Sequence, residues 1–162
     1  MPSEPADPLA LERQVCFALS VASRGVVAVY RPILAPLGLT HPQYLVMLAL
    51  WQRAPMSVKE LSATLALDPG TLSPLLKRLE AAGYVSRQRD RSDERALAVT
   101  LTGTGAALRR RALEVPAKVV AALGVEPEEL QRLNEALGTI TAAARRVRPP
   151  DGPGLAVGRP EQ

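Results

Sequence analysis

A mainly α fold with one small β-wing is what the sequence predicts, and three observations carry the prediction. Apolar residues recur at steps of three and four along most of the chain, the spacing of a helix face. Two short segments of this kind, 57–66 and 68–82, stand one tight turn apart. Behind them, 85–89 and 96–101 flank a polar, charged stretch as strands flank a hairpin tip. Two short helices joined by a turn and followed by a hairpin make a winged helix-turn-helix, whose second helix enters the major groove of DNA. The rest of the chain brackets this reading unit, 57–101.

Composition narrows the class. The chain is 47% hydrophobic but has only one Trp, one Phe and three Tyr, so Leu, Val and Ala must fill its core, which favours helices packed on helices. Its 162 residues suffice for a single core. Lys and Arg exceed Asp and Glu by 20 to 16, and the pI is about 9.7, a balance compatible with a polyanionic partner. The sequence shows no apolar run expected to span a membrane and no secretory signal at its start, so no membrane partner is expected. One cysteine permits no internal disulfide, and the expected compartment is the reducing cytoplasm. No metal-ligand cluster, phosphate loop or hydrolytic constellation is visible, so no enzyme is expected.

Residues 1–8 (MPSEPADP) are proline-rich and acidic, and are expected to be disordered. From Leu9 the apolar positions Leu11, Val15, Leu19, Ala22, Val26, Val29 and Tyr30 predict a helix of about six turns that ends before Pro32. Phe17, Ala18, Val21 and Val27 make it apolar on further faces, which implies a subunit contact. After a proline- and glycine-punctuated connection, Thr40 and Gln43 form a capping box around Pro42, opening an apolar helix through Trp51 that Ala54 and Pro55 break. Ser57 and Glu60 form a second capping box before Val58, Leu61 and Leu65. Asp68 and Pro69 start the next helix, Leu72, Leu75, Leu76 and Leu79 form its buried stripe, and Gly83 closes it.

Leu97, Val99 and Leu101 alternate as in a half-buried strand. Thr102 is an N-cap for a helix to about Leu123 that Pro116 should kink or split. Gly124 ends it, and Glu126 with Pro127 opens a last helix striped by Leu130, Leu133, Leu137, Ile140 and Ala144. Residues 149–162 are a Pro/Gly-rich tail expected to be disordered. One domain, 9–148, results, with helices 9–31 and 102–147 expected to form a homodimer. Two-fold symmetry would present two reading helices to the half-sites of a pseudo-palindromic duplex, roughly 34–36 Å apart.

On the reading helix, Thr71 and Ser73 lie near the end where base edges are read, and Lys77 and Arg78 are better placed for phosphates or guanine. In the tip, RDRSDER at 89–95, Arg91 or Arg95 could reach a narrow minor groove. The alternative reading of the tip is a solvated charge run, because Asp90, Asp93 and Glu94 offset most of its positive charge. The basic runs at 109–111 and 145–148 read as solvated faces.

Three strings in order now carry a resemblance: LERQVCFAL around Cys16, THPQYLVMLALW at 40–51, and LDPGTLSPLLKRLEAAGYVSRQRDRSDER through the reading unit. Over 9–144 the chain resembles the MarR family of repressors, and the strings are similar to its organic-hydroperoxide-sensing branch, OhrR, of the one-cysteine type. Asp93-Glu94-Arg95 matches the family's Asp-x-Arg wing motif, which makes Arg95 the matched wing residue and Asp93 its orienter. The resemblance implies a homodimeric repressor on double-stranded DNA that releases its operator when an organic hydroperoxide oxidises the N-terminal cysteine.

Carried over singly, Cys16 falls on the reactive cysteine and Tyr30 on one of two tyrosines that hold its sulfur from the other subunit. His41, the only histidine, stands where the commoner pattern has the second tyrosine, and an imidazole beside a thiol can donate or accept its proton. Tyr44 is assigned to packing. By residue chemistry alone, a lone cysteine in an apolar helix is more often an inert small hydrophobe. Cys16 also reads as too far inside its helix to gain from the N-terminal dipole. The resemblance implies no cofactor beyond a small cellular thiol that resolves the oxidised cysteine. Alternatives are a MarR-type repressor gated by a noncovalent aromatic or phenolic ligand with Cys16 structural, a thiol peroxidase, and a winged helix used only for protein contacts.

Overall fold

The computed structural model describes residues 7–89 and 97–147. In chain order it contains α1 (Val15–Leu34), α2 (His41–Arg53), β1 (Met56–Ser57), α3 (Val58–Leu65), α4 (Pro69–Ala81), β2 (Val85–Arg89), β3 (Leu97–Leu101), α5 (Gly103–Ala112), α6 (Val115–Leu123) and α7 (Pro127–Val147). Short 3-10 turns, Leu11–Arg13 and Ala35–Leu37, flank α1. The fold is the winged helix-turn-helix that the sequence predicts.

The caps form as their residue types dictate. Thr40 with Gln43, and Ser57 with Glu60, close both hydrogen bonds of their capping boxes. Asp68 caps α4 through the Thr71 N–H, and Thr102 caps α5 through the Gly105 N–H. Gly83 and Gly124 take φ of 76° and 62°, the left-handed conformation that ends a helix at least cost without a Cβ. The expected helix 102–123 is split by Leu113 and Glu114, and Pro116 lies in the first turn of α6, where its missing N–H removes no helical bond.

The core lies among α2, α3, α4 and the sheet. Val46, Met47, Leu61, Leu72, Leu76 and Val99 are all fully buried in it. Leu75 is half-buried at the edge of the expected stripe. The antiparallel sheet has the order β1-β3-β2, with Met56 opposite Val99 and Val85 opposite Leu101. The two-residue β1 was not expected from the sequence. It exists by pairing with β3, forty residues on, and so leaves no local pattern. Val99 points into the core and Leu101 is half-buried, whereas Leu97 is exposed, so the expected alternation fails at its first position.

Two features fasten the reading unit to the helices around it. Trp51 on α2 donates its indole N–H to the Gly105 carbonyl at 2.9 Å. Gly105 sits so close to the β2 end that a Cβ there would overlap the Tyr84 carbonyl. On the other side the Tyr84 hydroxyl donates to the Leu37 carbonyl at 3.0 Å, tying the sheet to the end of α1.

The expected first helix needs correction at both ends. It begins at Val15 rather than Leu9, because Gln14 is extended (φ −85°, ψ 118°) and its side chain donates to the Pro8 carbonyl at 2.8 Å, folding the preceding turn back. It also runs through Pro32 to Leu34. Ala28 and Pro32 are both exposed, so the carbonyl that loses its helical donor faces solvent, and the buried Leu34 anchors the last turn. With its 3-10 extension the segment reaches 23 residues, Val15–Leu37, and is apolar and long enough to cross a membrane by length and composition alone. A run of that length and composition was not expected from the sequence.

Little of α1 or α7 is covered by its own chain. Leu34 is the one buried residue of α1, and α7 has none. In α7, Leu130 and Leu137 are half-buried while Leu133 and Ile140 are exposed.

Candidate nucleic-acid interface and cysteine site

The reading helix α4 packs Leu72, Leu76 and Leu79 inward. Its opposite side carries Gly70, Thr71, Pro74, Lys77, Arg78 and Ala81, all exposed at helical spacing. Thr71, Lys77 and Arg78 thus share the outward stripe, whereas Ser73 is half-buried beside the packed side. Thr71 is tied back: its N–H donates to Asp68 Oδ1 at 2.8 Å and its hydroxyl to Oδ2 at 2.7 Å. These hydrogen bonds, the hydroxyl's first, hold the Asp68 carboxyl below the usual carboxylate range. With its proton committed, the Thr71 hydroxyl can only accept from a base, which suits an amino group of adenine or cytosine.

Pro74 escaped the sequence reading. It stands in the middle of the stripe and has no N–H for a helical bond to the Gly70 carbonyl. A proline inside a predicted helix was the signal for a carbonyl released on the outer face.

At the base of the wing, Arg87 Nε lies 3.5 Å from Glu80 Oε2, an ion pair between β2 and the last turn of α4. Arg91, Asp93 and Arg95 fall outside the described residues.

The residues expected at the cysteine site lie apart, Cys16 at the start of α1 and Tyr30 with His41 near its other end. Cys16 is exposed and occupies the second position of that helix. This corrects the expectation that it lies too far inside to meet the N-terminal dipole. The break at Gln14 makes its turn the first of α1. At the other end, Tyr30 and His41 pack edge to face with centroids 5.0 Å apart. Tyr44 lies 5.9 Å beyond Tyr30, buried as the packing assignment expects. Burial pushes the Tyr30 hydroxyl's pKa up and that of the His41 imidazole down. Cys16 and Tyr30 are separated by about 21 Å of helix rise, so within one chain the tyrosine and histidine meet and the cysteine does not join them.

A hollow of about 460 Å³ opens between α2 and α5, with Tyr44, Leu48, Trp51 and Leu113 on its walls and Arg109 at its edge.

Comparison with known proteins decides the family. The sequence model of the MarR family matches residues 39–97. The organic hydroperoxide resistance transcriptional regulator of Bacillus subtilis is 40% identical over 134 residues, covering 83% of this chain and 91% of the relative. This chain belongs to the MarR family. Among solved structures, reduced AbfR bound to DNA is 33% identical with a TM-score of 0.68, covering 83% of this chain and 94% of that chain. AbfR, from Staphylococcus epidermidis, is also known in an overoxidized DNA-bound form and a disulfide form, with TM-scores of 0.66 and 0.56. CouR bound to a 23-mer duplex is 28% identical with a TM-score of 0.74, covering 81% of this chain and 94% of that chain. As a MarR-family member the chain is a DNA-binding transcriptional regulator rather than an enzyme, and α3 and α4 are its helix-turn-helix.

Proposed function

We propose that this MarR-type regulator is a homodimeric cytoplasmic repressor that senses organic hydroperoxides through Cys16 and then releases its operator. The observation that carries the reading is the division of the site along α1. An exposed cysteine stands at one end of a largely uncovered apolar helix, and a tyrosine–histidine pair stands at the other. Two copies of α1 packed antiparallel would bring each Cys16 to the Tyr30 and His41 of the other subunit. The similarity to a hydroperoxide resistance regulator supports the same reading.

The chemistry is a two-electron oxidation. The Cys16 thiolate attacks one peroxide oxygen, a sulfur–oxygen bond forms as the oxygen–oxygen bond breaks, and the leaving alkoxide takes a proton to become an alcohol. Tyr30, whose hydroxyl pKa burial raises, is the donor within the pair for that leaving oxygen. A small cellular thiol then condenses with the sulfenic acid, forming a mixed disulfide and releasing water. The adduct sits in the packed subunit contact, moves the helices and alters the spacing of the two reading heads. DNA contact falls to Thr71, Lys77 and Arg78 on α4, with Ser73 at its margin and Arg91 and Arg95 on the wing.

The experiment follows fluorescence anisotropy of an operator fragment from the protein's own upstream region, with wild type and Cys16→Ser side by side. Organic hydroperoxide plus a small thiol should release wild type alone. Release of both proteins to the same extent would sink the cysteine switch.

A second reading is favoured by the hollow at Tyr44, Trp51 and Arg109, whose aromatic walls and cationic edge suit a noncovalent aromatic or phenolic ligand. Release of Cys16→Ser by such a compound, without peroxide, would select it.

A further inference from the structure

The outward stripe of α4 has a hydrogen-bond polarity that a single side chain imposes. Asp68 gathers the donors of the first turn: the Thr71 hydroxyl at 2.7 Å, the Thr71 N–H at 2.8 Å, and the Gly70 N–H toward the same carboxylate. The Leu72 N–H donates to the Asp68 carbonyl at 3.0 Å. Pro69 and Pro74 have no N–H to offer. Two acceptors are left on the exposed face, the Thr71 hydroxyl oxygen and the Gly70 carbonyl, whose helical donor Pro74 removes. The cations of the stripe, Lys77 and Arg78, lie about two turns further on. A phosphate needs donors, so it fits the Lys77–Arg78 end, and the first turn fits a base edge that supplies a proton. In the major groove only the amino groups of adenine (N6) and cytosine (N4) supply one.

We propose that Asp68 is a positioning residue for base recognition: it fixes the Thr71 hydroxyl as an acceptor, so that α4 selects a base whose amino group points at Thr71. This rests on α4 as the reading helix and not on the chemistry at Cys16. Asp68→Asn inverts the polarity without removing the cap. The amide oxygen is the side chain's sole acceptor and must take the Thr71 N–H, so the amide nitrogen faces the Thr71 hydroxyl and donates to it. The hydroxyl proton is then released toward DNA, where it meets the amino group donor to donor.

The test uses the full-length reduced protein and a duplex that wild type selects from a randomised pool. In that duplex each adenine is replaced by purine, which lacks the 6-amino group, and each cytosine by 2-pyrimidinone, which lacks the 4-amino group, one symmetric pair of positions at a time. Anisotropy measures the loss of affinity at each replacement, and comparison between proteins removes any effect on the duplex itself. At one position in each half-site, wild type should lose about tenfold, the scale of a lost base contact. Thr71→Val, which keeps the N–H bond to Asp68 but has no hydroxyl, should be indifferent to that replacement, and Thr71→Ser should keep the loss. Asp68→Asn should be indifferent as well, with thermal unfolding near that of wild type because asparagine caps a helix as well as aspartate does. A side chain that only capped the helix would leave the loss unchanged in Asp68→Asn. That result, or equal responses of wild type and Thr71→Val at every position, overturns the inference. Failure of wild type to enrich any duplex overturns the assignment of α4 as the reading helix and this inference with it.

Discussion

Tyr30 and His41 come from different helices and meet edge to face, 5.0 Å apart at an interplanar angle of 61°. The contact joins the C-terminal part of α1 to the first residue of α2 and withdraws both rings from water. Partial withdrawal disfavours whichever form carries charge, so it raises the pKa of the tyrosine and lowers that of the imidazole.

A pH dependence follows. Folding lowers the His41 pKa below its ordinary 6.5, so the unfolded chain binds the proton more readily than the folded one. The stability linked to His41 is present above the unfolded value and lost as pH falls through the folded one. Urea midpoints of wild type should therefore decline on acidification below about pH 6.5, and His41→Phe should flatten that decline. Parallel curves for the two proteins would show that other groups control it.

Lys77 and Arg78 extend from the outward stripe of α4, about two turns beyond Thr71. A cation that neutralises one phosphate releases about one counterion, so Lys77→Ala and Arg78→Ala should each reduce the slope of log affinity against log salt by about one. A residue that reads a base instead would leave the slope near that of wild type and relax sequence preference. Titrations of an operator and an unrelated duplex at several salt concentrations separate these roles.

Features decided within a few residues were legible in the sequence. The boxes at Thr40–Gln43 and Ser57–Glu60, the Asp68–Pro69 start and the Gly83 and Gly124 ends each need only their own side chains. Features decided across the fold were not. The break at Gln14 depends on its side chain reaching the Pro8 carbonyl, and β1 depends on β3. Ala66 takes the left-handed conformation (φ 52°) between α3 and α4, a position where a glycine would have signalled the turn. At the expected cysteine site, the family resemblance pointed to Tyr30 and His41, which the fold brings into contact, but the placement of Cys16 in the first turn needed the backbone.

Gly105 gives a test of how the reading unit is fastened. A methyl group at this position meets the Tyr84 carbonyl, which is backbone and cannot swing aside. Gly105→Ala must push α5 away from the end of β2 and lengthen the Trp51–Gly105 hydrogen bond. Overpacking of this kind typically costs about 1–3 kcal/mol, which outweighs the small gain in helix propensity from alanine. Chemical denaturation should show the loss, and Trp51 fluorescence should change in the folded state. An equally stable variant with unaltered Trp51 emission would contradict the close approach.

The exposed stripe of α7 allows the dimer to be tested apart from the fold. Leu133 and Ile140 are 52% and 45% exposed and α7 buries no residue in its own chain, so charge placed there removes no core contact. If the stripe is the subunit contact, Leu133→Asp with Ile140→Asp buries unpaired carboxylates at the interface and separates the protomers. Sedimentation should then give the monomer mass while circular dichroism keeps its helical signal. DNA affinity should fall steeply, because one reading head forfeits the coupled binding of the second half-site. A variant that stays dimeric would transfer the contact to α1, whose Phe17 and Val21 are exposed, and the same substitution at those positions would then be expected to dissociate it.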